Sequence, residues 1–382
     1  MQKDEQLQIL KDLIQIQTPN GNELAVSEYI GKLFDRYHID YRIDRFGNNR
    51  ANLIAEIGAG ETDRILAFEG HQDTVAVSDP DKWTHDPFQP VITDDGKLYG
   101  RGSADMKSGL AAEVISLIEL ATAKVPISGK IRLIATAGEE YGTPGANRLA
   151  ADNVAGDVDA MVVGEPTSGQ VIYAHSGSLN YQIKSYGKAV HSSIPDKGIN
   201  AIVGLTKYID AEAGLFDKAA TDPFLGTVKH SVTLIEGGEQ VNIIPGYADL
   251  YGNVRPTLSF DNDHVIQAIE TAVDKINQET DYHLEFSLIH NFHPVETNPK
   301  NSFIQLVDQA AHDSYSDREV KADIINGATD ASVFIKNNPK MAVVVLGPDA
   351  WKMAHQVNEY TTLTSFYETI QAYQKIAERY FK

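Results

Sequence analysis

The sequence contains no cysteine. That absence removes disulfides, iron–sulfur clusters, thiolate zinc sites and cysteine nucleophiles together. Positive charge is also scarce: 33 Lys and Arg stand against 53 Asp and Glu, a formal net charge of −20. Neither a phosphate backbone nor an anionic membrane would attract such a surface, so neither nucleic acid nor membrane is expected as a partner. No apolar run approaches the length of a membrane span. The stretch Met1–Pro19 is amphipathic and charged, and lacks the apolar run and small-residue cleavage site of a secretory signal. The expectation is a soluble, cytoplasmic protein. Three catalytic patterns are missing as well. There is no G-x-S-x-G nucleophile elbow and no H-E-x-x-H, and Asp105 stands where a dinucleotide loop opening Gly100-Arg101-Gly102 would need its third glycine.

What is present is an ordinary globular composition. Of 382 residues, 42% are hydrophobic and 23% charged, which excludes disorder and leaves room for two or three domains. Two helices are expected to open the chain. The first carries Leu7, Leu10, Leu13 and Ile14 at helical spacing and must end before Pro19; the second starts after the capping candidate Asn22. Short, nearly all-apolar runs follow at Arg64–Phe68, Ile131–Ala137, Ala160–Val163 and Met341–Leu346. They suit strands covered on both faces, with helices at Met106–Leu120, Ala146–Ala151 and about Thr364–Arg379 between or after them. Between Ser178 and about His290 the order changes to strand, helix, strand, strand, helix, strand, the ferredoxin-like βαββαβ pattern. The fold expected is therefore an α/β catalytic domain, a mostly parallel sheet with helices on both faces, interrupted by an α+β domain. The boundaries are 1–177 and 293–382 for the first and 178–292 for the insertion.

The chemistry lies after the apolar strands. His71-Gln72-Asp73 follows the first run, Glu139-Glu140 the second, Glu165 the third, and His355 the fourth after a Gly-Pro turn. Asp105 joins them from a small-residue loop that leads into a helix. In an open α/β sheet ligands bind outside the carboxyl ends of the strands, so these side chains should meet at one edge. Two histidines, several carboxylates and no thiolate form a ligand set for zinc, with cobalt or manganese as alternatives. Three carboxylates leave one positive charge on two divalent cations, which a bridging hydroxide would cancel. Asp73 is close enough to His71 in sequence to accept its free ring N–H.

These motifs, H-Q-D-T-V-A-V, G-R-G-S-A-D-M-K-S-G, A-G-E-E-Y-G-T-P-G, G-E-P-T and A-H-Q-V-N-E-Y, resemble the zinc aminoacylase/carboxypeptidase superfamily in order and spacing. The superfamily includes succinyl-diaminopimelate desuccinylase, acetylornithine deacetylase, aminoacylase and glutamate carboxypeptidase. The resemblance implies two metal ions bridged by Asp105, with His71 and Glu165 on one and Glu140 and His355 on the other. It implies Glu139 as general base for a metal-bridging hydroxide, and a cis peptide between Asp105 and Met106. In the inserted domain, His191 in K-A-V-H-S-S-I-P resembles the histidine that reaches a neighbouring subunit's site and stabilises the oxyanion, implying a homodimer through that domain. Asn242 in V-N-I-I-P and Arg255 in N-V-R-P resemble substrate contacts, the arginine for a carboxylate. Gly327-Ala328-Thr329-Asp330-Ala331 resembles a substrate loop, from which Gly327 and Thr329 are taken as contacts.

Glu165 leans the reading toward deacylases, which tend to carry Glu there, over peptidases that carry Asp. His175-Ser176-Gly177-Ser178-Leu179-Asn180 resembles the desuccinylase's R-R-G-S-L-N, with Ser178 as a contact, but has His-Ser in place of the paired arginines. His175, Arg255 or Lys184 could supply the missing charge selection. The substrate expected is a small N-acyl amino acid, N-succinyl-diaminopimelate first. Acetylornithine deacetylase, a general aminoacylase and a dipeptidase are the alternatives within the superfamily. A non-catalytic binding protein on the same frame would have lost ligands or the base, and here all are present.

Overall fold

The computed structural model describes residues 1–349 and 351–382. The chain divides into two units. The larger comprises Met1–Ala174, Glu296–Ile324 and Thr329–Lys382; the smaller comprises His175–Val295 together with Ile325–Ala328. No sequence signal marks Ile325–Ala328 as separate from the residues around it, so this second crossing between units was not anticipated.

The larger unit is built on a nine-stranded sheet. Its longer strands stand in the order Asp40–Phe46, Arg50–Ile57, Lys130–Thr136, Ile65–His71, Ala160–Val163, Ala342–Val345 and Val171–His175. The four from Lys130–Thr136 to Ala342–Val345 are mutually parallel, and the flanking pairs are antiparallel. Burial explains why these four are so apolar. Leu66 and Phe68 face the main core, while Ile65 and Ala67 are buried outside that cluster, so both faces are covered. The antiparallel pair Asp40–Phe46 and Arg50–Ile57 was not expected, because its outer strand alternates exposed and half-buried residues and reads as polar loop.

Helix Lys107–Thr122 is buried almost all round, against the helices Lys3–Gln15 and Leu363–Tyr380 and the strand Ile65–His71. At its start Lys107, fully buried, donates to the carbonyls of Leu13 and Ile16 and satisfies the end of the first helix. Two residues on, Gly109 lies against the Gly164 carbonyl, where a Cβ would stand 1.9 Å from the oxygen. Asn22 occupies the position before the second helix but does not cap it. Its backbone is left-handed and its amide donates to the Gln17 carbonyl instead.

The smaller unit carries a four-stranded antiparallel sheet in the order Lys229–Gly237, Tyr247–Arg255, Ser178–Tyr186, His283–Phe292. With helices Ala201–Glu212 and Asn262–Glu279 this is the βαββαβ arrangement. Leu179, Tyr181 and Ile183 face the helices, and Asn180, Gln182 and Lys184 take the opposite face. No helix among the described residues is long and apolar enough to cross a membrane.

The contact at Gly109 yields a test. Gly109→Ala should lower stability by about 1–3 kcal/mol, since backbone must move to admit one methyl. Gly21→Ala, with open space around its Cβ, should change it little. Denaturant midpoints of the two variants make the comparison; equal midpoints would contradict the packing.

Candidate metal centre

The parallel strands end together, and the residues after them converge. His71 closes Ile65–His71, Glu165 follows Ala160–Val163, and Glu139-Glu140 follow Lys130–Thr136 in the short helical turn Glu139–Tyr141. His355 follows Ala342–Val345, with its backbone in the left-handed region at φ 63°. Asp105 precedes helix Lys107–Thr122, and the Asp105–Met106 peptide is cis, as the resemblance implies.

Asp105 lies at the middle of the group. Its Oδ1 is 3.1 Å from His71 Nε2, which is also 3.5 Å from Glu165 Oε1. Its Oδ2 is 3.3 Å from His355 Nε2, which is 2.9 Å from Glu140 Oε1. One carboxylate thus turns one oxygen to each histidine, and each histidine has its own second carboxylate. Potential ligand atoms of His71, Asp105 and Glu140 lie within 4.8 Å of one another, as do those of His71, Glu139 and Glu165. These donors fit divalent cations: they are nitrogens and oxygens only, and the buried Glu165 Oε2 has no hydrogen-bond partner.

The charges strain against each other. Burial raises the carboxyls of Glu139 and Glu165 well above the usual range, and neighbouring acids add to it. Burial also raises Glu140, helped by Asp105. For Asp105 burial works the same way, but hydrogen bonds from His355 and His71 outweigh it and hold the group low. Burial disfavours the charged His71 ring, yet Glu165, Asp105 and Asp73 together push its pKa well up. His355, hydrogen-bonded to Asp105 and Glu140, rises to about 10.

Asp73 does something other than expected. The His71 Nδ1 group meets the Asp73 backbone carbonyl at 3.1 Å, with the carboxylate farther off at 3.6 Å. The carboxylate instead accepts the backbone N–H groups of Gly138, Glu139 and Glu140 at 2.8, 3.1 and 3.2 Å. It therefore holds the turn that carries the proposed base and a ligand. Gly138 makes that turn possible at φ 81°, where a side chain would be strained.

The other expected site residues lie in the smaller unit, apart from Thr329, which is buried in the larger one with its hydroxyl accepting the Ala331 N–H. His191 sits on a two-stranded ribbon, paired with Ile243, and Ser192 donates to the Asn242 carbonyl. The ring Nδ1 accepts the Ser193 N–H at 3.2 Å and lies 2.7 Å from the Ser193 hydroxyl. Arg255 ends its strand half-buried, with no ion pair among the described residues, and burial lowers its pKa. Ser178 is buried beside Asn253, and Gly327 is half-buried in the Ile325–Ala328 segment. One of the three candidates for charge selection falls away: burial lowers His175 to about 4, which disfavours its charged form. Lys184 stands in register with Asp249 and Glu285 on the neighbouring strands. Glu359, in contrast, was missed. It is fully buried and accepts four hydrogen bonds next to Asp105, and its place in A-H-Q-V-N-E-Y, four residues after His355, is the signal that could have found it.

Because the carboxylates raise the pKa of both imidazoles, protons compete with a cation for these ring nitrogens. Titration of Zn²⁺ into apo protein near pH 7.5 should release about one proton or more per ion. Calorimetry in buffers of different ionisation enthalpy reads this directly, and heats that do not depend on the buffer would contradict it.

Comparison with known proteins agrees with this geometry. A protein named "Probable succinyl-diaminopimelate desuccinylase" from Staphylococcus aureus (strain MSSA476) is 34% identical over 408 residues, covering 99% of this chain and 98% of the relative. Among solved structures, the aminopeptidase PepT from Bacillus cereus superposes with a TM-score of 0.80 at 20% identity, covering the whole of both chains. A dinuclear metal binding peptidase from Bacillus subtilis gives 0.75 at 16%, covering 99% of this chain and 98% of its own. The model for Peptidase family M20/M25/M40 matches residues 67–379, a span that holds every member of the cluster around Asp105. On that match and on the full-length relatives, the chain belongs to peptidase family M20/M25/M40, a family of metal-dependent hydrolases.

Proposed function

We propose that the chain is a two-metal amidohydrolase that removes the acyl group from an N-acyl amino acid, with N-succinyl-L,L-diaminopimelate as the leading substrate. The observation that carries the hydrolytic part is the division of Asp105 between His71 and His355. What supports the substrate is the name borne by the full-length relative at 34% identity. Two zinc ions, or cobalt or manganese, would supply Lewis-acid polarisation of the acyl carbonyl and a more acidic water.

The residues of the chain do the rest. His71 and Glu165 would hold one ion, Glu140 and His355 the other, with Asp105 placed to serve both. Glu139 takes the proton from the attacking water and passes it to the leaving amine, breaking the C–N bond as the amine departs. A carboxyl raised by burial suits a group that must gain and lose a proton near neutrality. Asp73 keeps Glu139 and Glu140 in place through their backbone N–H groups. His191 donates from its ring to the developing oxyanion. Arg255, lacking an acidic partner, pairs with a substrate carboxylate, and Asn242, Ser178, Gly327 and Thr329 complete the contacts. The protein acts in the cytoplasm as a homodimer through the smaller unit, whose edge strand Lys229–Gly237 exposes Leu234 and Ile235.

One observation favours a second reading, a deacylase for an uncharged acyl group such as acetylornithine's. Burial disfavours a charged His175 where the desuccinylase pattern R-R-G-S-L-N has an arginine, so that position lacks the charge that a succinyl carboxylate would meet. Steady-state hydrolysis by the zinc-loaded enzyme of N-succinyl-L,L-diaminopimelate, N-acetylornithine and a plain dipeptide separates the readings. The proposal expects the highest kcat/KM for the succinyl compound; preference for either rival would overturn that substrate. Glu139→Ala should bind metal as the parent does and lose roughly 10²–10⁴-fold in kcat. Near-parental turnover would remove Glu139 as the base.

A further inference from the structure

Glu359 makes no contact with the proposed ligand atoms, yet it is fully buried four residues after His355. Its Oε1 accepts the backbone N–H groups of Ala104 and Asp105 at 2.8 and 2.9 Å. Its Oε2 accepts Gly102 N–H at 2.9 Å and Arg101 Nη1 at 2.6 Å. Its own carbonyl takes the Gly100 N–H at 3.0 Å. One residue thus ties down the whole turn from Gly100 to Asp105. The flanking strand Tyr360–Thr362 fixes its position by pairing with Lys97–Tyr99, immediately before that turn.

We infer that Glu359 is the positioning residue of the centre, holding Asp105 by its backbone so that both carboxylate oxygens stay turned to the two histidines. The inference rests on the reading of Asp105 as the ligand shared by two ions. The segment 355–359 reaches Asp105 at both ends: His355 meets its carboxylate and Glu359 its amide. Only a carboxylate can do this, because four donors converge on two oxygens. A carboxamide in its place would keep one acceptor oxygen and turn an NH₂ group toward two of those donors. Arg101 explains how a further buried acid is tolerated beside so many others. It is itself buried, pairs with Glu359, and lies over the Trp83 ring at 5.2 Å, so the clamp adds no net charge to the centre.

The test compares Glu359→Gln and Glu359→Asp with the parent protein. Circular dichroism checks the fold, Zn²⁺ calorimetry gives affinity and stoichiometry, and Co²⁺ absorption spectra report ligand geometry. A positioning role predicts a folded Glu359→Gln protein with Zn²⁺ affinity lowered roughly 10–100-fold and an altered Co²⁺ spectrum. Glu359→Asp, which retains both acceptor oxygens at shorter reach, should recover part of the affinity. Two ions bound by Glu359→Gln at the parent's affinity and with the parent's spectrum would overturn the inference. Should the variants fail to fold, hydrogen exchange in the parent decides instead. The amides of Gly102, Ala104 and Asp105 donate to this carboxylate and should be strongly protected, whereas fast exchange would overturn the clamp. None of these readouts uses turnover. A parent chain that binds two ions but cleaves no N-acyl amino acid would therefore defeat the proposed function and leave this inference standing.

Discussion

Mutual repulsion among buried carboxylates is the constraint around which the larger unit is organised. Asp105, Glu139, Glu140 and Glu165 crowd two imidazoles, and the chain by itself can balance them only by holding protons. Burying charge without a partner is expensive, so a fold that keeps such a cluster must gain something that offsets it. Divalent cations would supply that offset, and membership of a metallohydrolase family accords with it. The apolar burial on both faces of the central strands supplies the stability that such a cluster costs.

Precision comes from a layer of acids that the proposed chemistry does not consume. Asp73 grips the turn 138–140 through three backbone N–H groups, and Glu359 grips the turn 102–105 through three others. Each turn delivers proposed ligands from a loop, and loops alone would place them loosely. Backbone donors are well suited to the task, since their directions are set by the chain and not by rotamers. Close packing acts in the same direction where Gly109 sets the helix after Asp105 directly against the strand end before Glu165.

Much of this was legible in the sequence because burial and chemistry are written at different periods. Continuous apolar runs marked the parallel strands, and the polar residues that broke them marked the sheet edge where His71, Glu139, Glu140, Glu165 and His355 meet. The βαββαβ order of the smaller unit showed equally well, its two central strands Ser178–Tyr186 and Tyr247–Arg255 alternating between a helix-covered and an open face. What was not legible depended on partners distant in sequence. Glu359 acquires its meaning only from N–H groups more than 250 residues away, and Asp73 proved to hold a turn where its spacing suggested a ring nitrogen. Asn22 shows the local version of the same limit, since a residue type that favours capping was taken by another carbonyl. His175 shows it for charge, because a histidine becomes a cation or a neutral ring only through its surroundings.

The account stands or falls on the sharing of Asp105 between two ions. Native mass spectrometry of the zinc-reconstituted protein, beside Asp105→Ala, tests that sharing most directly. The account predicts two zinc ions per parent chain and the loss of both together from the variant. A single ion in the parent, or a variant that keeps one ion at full occupancy, would contradict it.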